Sequence, residues 1–128
     1  MASKFATVIN CMDGRVQQPV NDWMKKKTGA EFIDVITEAG PDKIMASTAT
    51  ASRLILNRIL VSRDIHHSKA VAIVAHADCA GNPVSKSAHL EHLRKASKII
   101  DTWNLGMTIM TIWVDKQGQV ELISELKL

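Results

Sequence analysis

The chain has 128 residues, of which 46% are hydrophobic and 23% are charged, proportions typical of one folded domain over residues 1–128. The formal net charge is +3, but the basic residues are scattered along a chain with three Trp, two Phe and no Tyr. Because no basic stripe is interleaved with aromatic side chains, nucleic-acid binding is not predicted.

The first residues of the chain and its two cysteines indicate the cellular compartment of the protein. Met1 to Lys4 lead directly into a strand-like segment without the apolar core of a signal peptide, and no apolar run is long enough to span a bilayer. We therefore expect a cytoplasmic protein without a membrane partner. In a reducing compartment, two cysteines are more often metal ligands or catalytic thiolates than a disulfide.

The N-terminal half is predicted to contain two strands and two helices. Residues 5–11 form an apolar, β-branched run typical of a strand, and a proline opens a predicted helix over residues 19–27. Residues 31–37 alternate as a second strand, which a turn at residues 39–42 follows. Apolar residues at helical spacing then predict one long helix over residues 45–63.

The C-terminal half completes a mostly parallel sheet. Residues 70–75 are apolar throughout, which indicates a central strand buried on both faces. Residues 83–101 are predicted to be a helix, and residues 107–114 and 120–126 are predicted to be strands. The order β-α-β-α-β-α-β-β indicates an α/β fold with helices flanking four parallel strands and one antiparallel edge strand, since only a short turn precedes the last strand.

Two strand ends contain residues suited to bind a metal ion. The first strand ends in Cys11-Met12-Asp13-Gly14-Arg15, and the third is followed by His76-Ala77-Asp78-Cys79. Ligands of open parallel sheets bind beyond the carboxyl ends of the strands, so Cys11, His76 and Cys79 converge if strands one and three are neighbours. Thiolate and neutral imidazole are ligands that zinc prefers, and three of them leave one position open, as at a catalytic zinc.

Asp13 and Arg15 follow Cys11 on the same segment. Alternation along an extended chain would point residues 11, 13 and 15 to a common side. The planar fork of Arg15 can then hold the Asp13 carboxylate and favour its ionised form. A carboxylate held in this way beside zinc can accept the hydrogen bond of a metal-bound hydroxide, or it can bind the zinc itself and close the fourth position.

These motifs resemble the signatures of the β-class carbonic anhydrases, Cys-x-Asp-x-Arg after the first strand and His-x-x-Cys after the third. The resemblance implies the β-carbonic-anhydrase fold, a homodimer or higher homo-oligomer, and the reversible hydration of carbon dioxide to bicarbonate. It also implies that Cys11, His76 and Cys79 bind Zn²⁺ and that Asp13 and Arg15 form the orienting dyad. Zinc would lower the pKa of its bound water towards about 7, which provides a hydroxide nucleophile at neutral pH.

The chain also departs from the family pattern. Family members usually carry N-terminal helices that embrace the partner subunit, whereas this chain begins almost at the first strand. Pro41 stands where Asn is typical, and Ala80 stands where a glycine generally follows the second cysteine, with Gly81 one place later. A divergent member with an altered pocket and dimer is expected.

Alternatives to carbon dioxide hydration remain open. One is the hydrolysis of a related heterocumulene such as carbonyl sulfide or carbon disulfide, another is a zinc-binding protein without activity, and a third is a thiol-dependent hydrolase without metal. Asp78 is predicted to cap the helix that follows it. His89 and His92, three residues apart, are interpreted as part of a solvated helix face, with a second metal site or a proton relay as the alternatives.

Overall fold

The computed structural model describes residues 3–47 and 49–128. Within these ranges the chain forms five strands, four α-helices and one short 3₁₀ turn. In chain order they are β1 (Phe5–Cys11), the 3₁₀ turn (Gly14–Val16), α1 (Gln17–Thr28), β2 (Phe32–Glu38), α2 (Pro41–Ser47), α3 (Ala49–Asp64), β3 (Ala70–His76), α4 (Lys86–Thr102), β4 (Thr108–Val114) and β5 (Val120–Leu126). No helix in the described ranges is long and apolar enough to cross a bilayer.

The strands form one sheet in the order β2-β1-β3-β4-β5. The first four strands in this order pair in parallel, and β5 pairs antiparallel with β4 at the edge. The predicted α/β class, the central position of β3 and the antiparallel edge strand are all confirmed. The pairing of β1 with β3 is the feature on which the convergence of the two motifs depends.

Helices cover both faces of the sheet, and β3 shows why. Alternate residues of a strand point to opposite faces, and Ile73 packs in a cluster with side chains of α3 and α4, whereas Val74 packs in a second cluster with side chains of α1. Both residues are fully buried. Burial of an aliphatic side chain of this size contributes about 1.5–3 kcal/mol, so the continuous apolar run of β3 stabilises both layers.

The region after β2 differs from its prediction. Pro41 opens α2 and does not lie within a turn at residues 39–42, because the first position of a helix needs no N–H donor and suits the φ angle of proline. Gly40 enables this entry with a left-handed φ of 66°. The predicted single helix over 45–63 corresponds to α2 and α3, which lie on either side of residue 48, a residue outside the described ranges. α2 packs chiefly against α4, whereas α3 lies against β1 and β2.

Two loops at the carboxyl ends of the strands touch through their backbones. A Cβ atom at Gly81 would lie 2.4 Å from the carbonyl carbon of Ala39 and 2.6 Å from its oxygen. A Cβ at Gly40 would in turn lie 2.8 Å from the carbonyl carbon of Gly81. Gly81 therefore has a packing role of its own: it lets the loop after β3 lie directly on the loop after β2.

Candidate metal centre

The structure brings Cys11, His76 and Cys79 together. Cys11 is the last residue of β1, His76 is the last residue of β3, and Cys79 lies in the loop that follows. All three side chains are buried, and one donor atom from each lies within 4.8 Å of the other two. The parallel pairing of β1 with β3 places these strand ends side by side.

The distance between the two sulfur atoms matches shared metal ligation. Cys11 Sγ and Cys79 Sγ are 3.9 Å apart, and both cysteines are free. A disulfide would require about 2.0 Å. Two thiolates on one tetrahedral zinc, each with a bond of about 2.3 Å, have their sulfurs about 3.8 Å apart. The donor types and this spacing fit zinc.

His76 presents one ring nitrogen as a possible ligand. Its Nδ1 donates a hydrogen bond of 2.7 Å to the carbonyl oxygen of Ala77, which leaves the Nε2 lone pair free. Nε2 is buried and has no hydrogen-bond partner among the described residues. A histidine that binds a metal through one nitrogen commonly donates from the other to a carbonyl oxygen in this way.

The environment of Cys79 favours a nearby cation. Burial and the adjacent Cys11 raise the pKa of the Cys79 thiol to about 11, although the backbone amides of Asn82 and Gly81 act in the opposite direction. Two buried sulfurs in contact resist becoming thiolates together unless a positive charge compensates them. A bound metal ion supplies such a charge, and cysteine binds the ion in its thiolate form.

Asp13 and Arg15 form an ion pair on the loop after Cys11. Arg15 Nη2 donates to Asp13 Oδ2 at 2.6 Å, and Arg15 Nε donates to Oδ1 at 3.1 Å. The guanidinium holds the pKa of the Asp13 carboxyl well below its usual range and raises the pKa of Arg15. The expected extended alternation is wrong, because Asp13 caps the 3₁₀ turn, its Oδ1 accepting from the backbone N–H of Arg15.

Arg15 also holds the loop that contains Cys79. Its Nη1 donates to Asp78 Oδ2 at 3.1 Å, and its Nη2 donates to the Asp78 carbonyl oxygen at 3.2 Å. The prediction that Asp78 caps the next helix is wrong, since α4 begins only at Lys86 and is capped by Ser85. Asp78 instead adopts a left-handed φ of 58°. Arg15 thus joins the loops after β1 and β3 beside the candidate ligands.

A cleft opens next to this cluster. It has a volume of about 510 Å³ and lies between the 3₁₀ turn and the hairpin that joins β4 to β5. Arg15, His76, Asp78 and Lys116 are among the residues that line it. A small molecule that enters the cleft therefore meets one edge of the candidate metal centre and side chains of both charges.

The histidines of α4 do not form a solvated face as predicted. His89 is 1% exposed, and its Nδ1 lies 2.7 Å from Asp42 Oδ2, while His92 is only partly buried. His89 continues the buried stripe of α4, which recurs at residues 89, 93, 96 and 100. This helical spacing was the available signal that sequence reasoning missed.

Comparisons with known proteins agree with the fold. Residues 1–124 match the family described as "Putative carbonic anhydrase". A carbonic anhydrase from Glaciozyma antarctica is 15% identical with a TM-score of 0.63, over 96% of this chain and 83% of that one. One of two tetrameric β-carbonic anhydrases from Sordaria macrospora is 11% identical with a TM-score of 0.54, over 98% and 83%.

At these identities the structural matches show a shared fold alone. A search among curated proteins finds no match. The family match spans nearly the whole chain, from residue 1 to residue 124. The chain therefore belongs to this carbonic anhydrase family, as a short and divergent member with the β-class fold.

Proposed function

We propose that this protein is a zinc enzyme that catalyses the reversible hydration of carbon dioxide to bicarbonate. The observation that carries the proposal is the convergence of Cys11, His76 and Cys79 beside the Asp13–Arg15 pair at one edge of the sheet. Two thiolates and one imidazole leave one zinc position for chemistry. Family membership supports the same class of reaction.

One donor atom of each residue would bind the zinc ion. Cys11 and Cys79 would bind zinc through Sγ, and His76 would bind through Nε2, whose partner nitrogen is engaged by Ala77. When bound, zinc acts as a Lewis acid and lowers the pKa of water, so that a nucleophile is available near neutral pH.

Asp13 is proposed as the group that orients the nucleophile. Both of its oxygens accept hydrogen bonds from Arg15, so the carboxylate stays ionised and its direction is set. A carboxylate in this state accepts a hydrogen bond and does not release a proton, which suits orientation. Its engagement with Arg15 supports this role over that of a fourth zinc ligand.

The cleft offers a small substrate a route to the edge of the candidate centre. It lies beside His76, and its charged lining residues are two cationic and two acidic ones, Arg15, Lys116, Asp78 and Asp115. Carbon dioxide is small and uncharged, so it needs no electrostatic attraction to enter.

Metal analysis tests the first part of the proposal. We expect the cysteines to bind about one zinc ion per chain. The Cys11→Ser variant should no longer bind this ion. Purified protein that gains no zinc at this site after growth with added zinc would refute the proposal and favour a metal-free thiol hydrolase.

Stopped-flow measurement of carbon dioxide hydration tests the second part. Asp13→Asn keeps the size of the side chain but removes its charge, and we expect kcat/KM to fall about 10²–10³-fold while zinc remains bound. Glu125→Gln is a matched control, because Glu125 is paired with Lys27 and 19% exposed, where Asp13 is 20% exposed. This control should retain full activity.

The outcomes separate the alternatives. A zinc-loaded wild type that hydrates carbon dioxide at the uncatalysed rate contradicts the proposal. Turnover of carbonyl sulfide or carbon disulfide by that same sample would then identify a heterocumulene hydrolase. Absence of all three activities would identify a zinc-binding protein without catalysis.

A homo-oligomer is part of the same proposal. Leu54, Val61 and Ile65 are all more than half exposed. Leu54 and Val61 lie on one face of α3, and Ile65 follows the end of that helix, four residues after Val61. A second copy of the chain could cover this apolar face. Light scattering should report a dimer or larger assembly for wild type, and Val61→Glu should shift it towards the monomer. A monomeric wild type would contradict this part.

A further inference from the structure

We propose that Asp42, His89 and His92, with Asn82 beside them, form a second site for a divalent transition-metal ion. The four residues come from α2, the loop after Cys79 and α4. One donor atom from each of Asp42, His89 and His92 lies within 4.8 Å of the other two. Two imidazoles and one carboxylate are a donor set that zinc and iron accept in proteins.

The spacing of the donor atoms suits one small ion. From Asp42 Oδ2, the distances are 2.7 Å to His89 Nδ1, 3.6 Å to His92 Nδ1 and 3.0 Å to Asn82 Nδ2. Asn82 Nδ2 lies 2.9 Å from His92 Nδ1 and 3.4 Å from His89 Nδ1. A tetrahedral ion with bonds of about 2.0–2.1 Å has ligands about 3.3–3.4 Å apart. The measured distances bracket this value, so small side-chain shifts suffice.

The side-chain amide of Asn82 can supply the fourth ligand atom. The oxygen and nitrogen of an amide are assigned from the hydrogen-bond network and not from their shape. Rotating the Asn82 amide by half a turn places its oxygen where Nδ2 now lies, towards Asp42 and both histidines. The site would then present two imidazole nitrogens and two oxygens to the ion, one oxygen being charged.

Burial gives the second, independent argument. Asp42 is 1% exposed. Among the described residues it forms ion pairs with His89 and His92 and with no lysine or arginine. Asp42 Oδ1 is buried and lacks a hydrogen-bond partner within the same residues. A buried carboxylate is costly unless a positive charge compensates it. A divalent ion provides that charge where neutral imidazoles do not.

Access to the site comes from one side. His92 is the exposed member of the set, with 26% of its side chain open to solvent, whereas Asp42 and His89 are 1% exposed. An ion can thus enter past His92 and be retained by the two buried ligands. Imidazole donors favour zinc, iron, nickel or copper over magnesium and calcium, which prefer oxygen ligands.

Metal stoichiometry of variants tests the proposal without relying on activity. The double variant Cys11→Ser/Cys79→Ser removes the thiolate centre, and we expect it to retain about one zinc ion per chain in native mass spectrometry and elemental analysis. Adding His92→Asn should remove that ion. His67→Asn is the matched control, because His67 is exposed on a loop and its left-handed φ of 60° suits asparagine.

Cobalt substitution gives a second measurement on the same variants. Co²⁺ in the cysteine-free variant should show visible d–d absorption without the near-ultraviolet charge transfer that thiolate ligands produce, and His92→Asn should abolish it. Circular dichroism of each variant confirms that it is folded. A folded cysteine-free variant that binds no ion would overturn the proposal. An ion that survives His92→Asn would also overturn it.

These outcomes are independent of the proposed activity. If the wild type and the cysteine-free variant each retain one ion that His92→Asn removes, the second site is supported and the thiolate centre is refuted. If the wild type binds only one ion and the Cys11→Ser/Cys79→Ser variant binds none, the thiolate centre is supported and the second site is refuted.

Discussion

The contact between Gly81 and the loop after β2 leads to a strong prediction for Gly81→Ala. The new Cβ would lie 2.4 Å, 2.6 Å and 2.7 Å from backbone atoms of Ala39 and Gly40, none of which can rotate away. Reaching ordinary contact requires the two loops to separate by about 1 Å, and overpacking of this kind costs about 1–3 kcal/mol. We therefore expect the free energy of unfolding to fall by about 1–3 kcal/mol.

Urea denaturation in the presence of a chelator measures this cost without a contribution from metal binding. Gly14→Ala is the matched control, because no atom lies within 4 Å of the position of its Cβ. It should leave stability unchanged or raise it by up to about 1 kcal/mol. Equal unfolding free energies for Gly81→Ala and wild type would refute the packing argument.

The same substitution should weaken zinc binding. The backbone amides of Gly81 and Asn82 lower the pKa of the Cys79 thiol, so a displaced loop changes the position of these amides relative to the sulfur. Competition with a zinc chelator should show a lower affinity for Gly81→Ala than for Gly14→Ala. Unchanged affinity would mean that the loop moves as a rigid unit with Cys79.

Three further changes test the core and the metal centre. Ile73→Ala removes a fully buried side chain of the central strand and should cost about 2–5 kcal/mol in urea denaturation, whereas a loss below about 1 kcal/mol would contradict its packing. Thr7→Val removes a buried hydroxyl that lies 2.6 Å from Ser62 Oγ and 2.7 Å from Ser68 Oγ, and should cost about 1–3 kcal/mol in the same assay. Zinc at a hundred times its dissociation constant should stabilise wild type by about 2.7 kcal/mol per site. Thermal denaturation should show a smaller gain for Cys11→Ser, and an equal gain would argue against thiolate ligation.

The sheet and the placement of the two motifs at strand ends could be predicted because the signals are local. The apolar run before His76 indicates a strand covered on both faces, and the pairing of β1 with β3 then brings Cys11 near Cys79. Pro41 was misread because glycine followed by proline and aspartate is typical of a turn. The same proline also suits the first position of a helix, and the packing of α2 against α4 decides between the two.

Other features depend on partners that are distant in the chain. The helical spacing of His89 with residues 93, 96 and 100 indicates its burial, but its partner Asp42 lies 47 residues away, and no local pattern indicates that pairing. Asp78 was predicted to cap a helix because capping is a local rule, but Arg15, which is 63 residues away, takes its carboxylate instead. The close approach of Gly40 and Gly81 is likewise a product of tertiary packing.

The pairing of β1 with β3 also has a consequence for the order of folding. Cys11 and Cys79 are 68 residues apart, and α1, β2, α2 and α3 lie between them in the chain. Contacts of such long sequence separation form slowly, since the loop between them must close first. We therefore expect the thiolate centre to assemble late, so that metal capture marks a nearly native chain and does not guide its first steps.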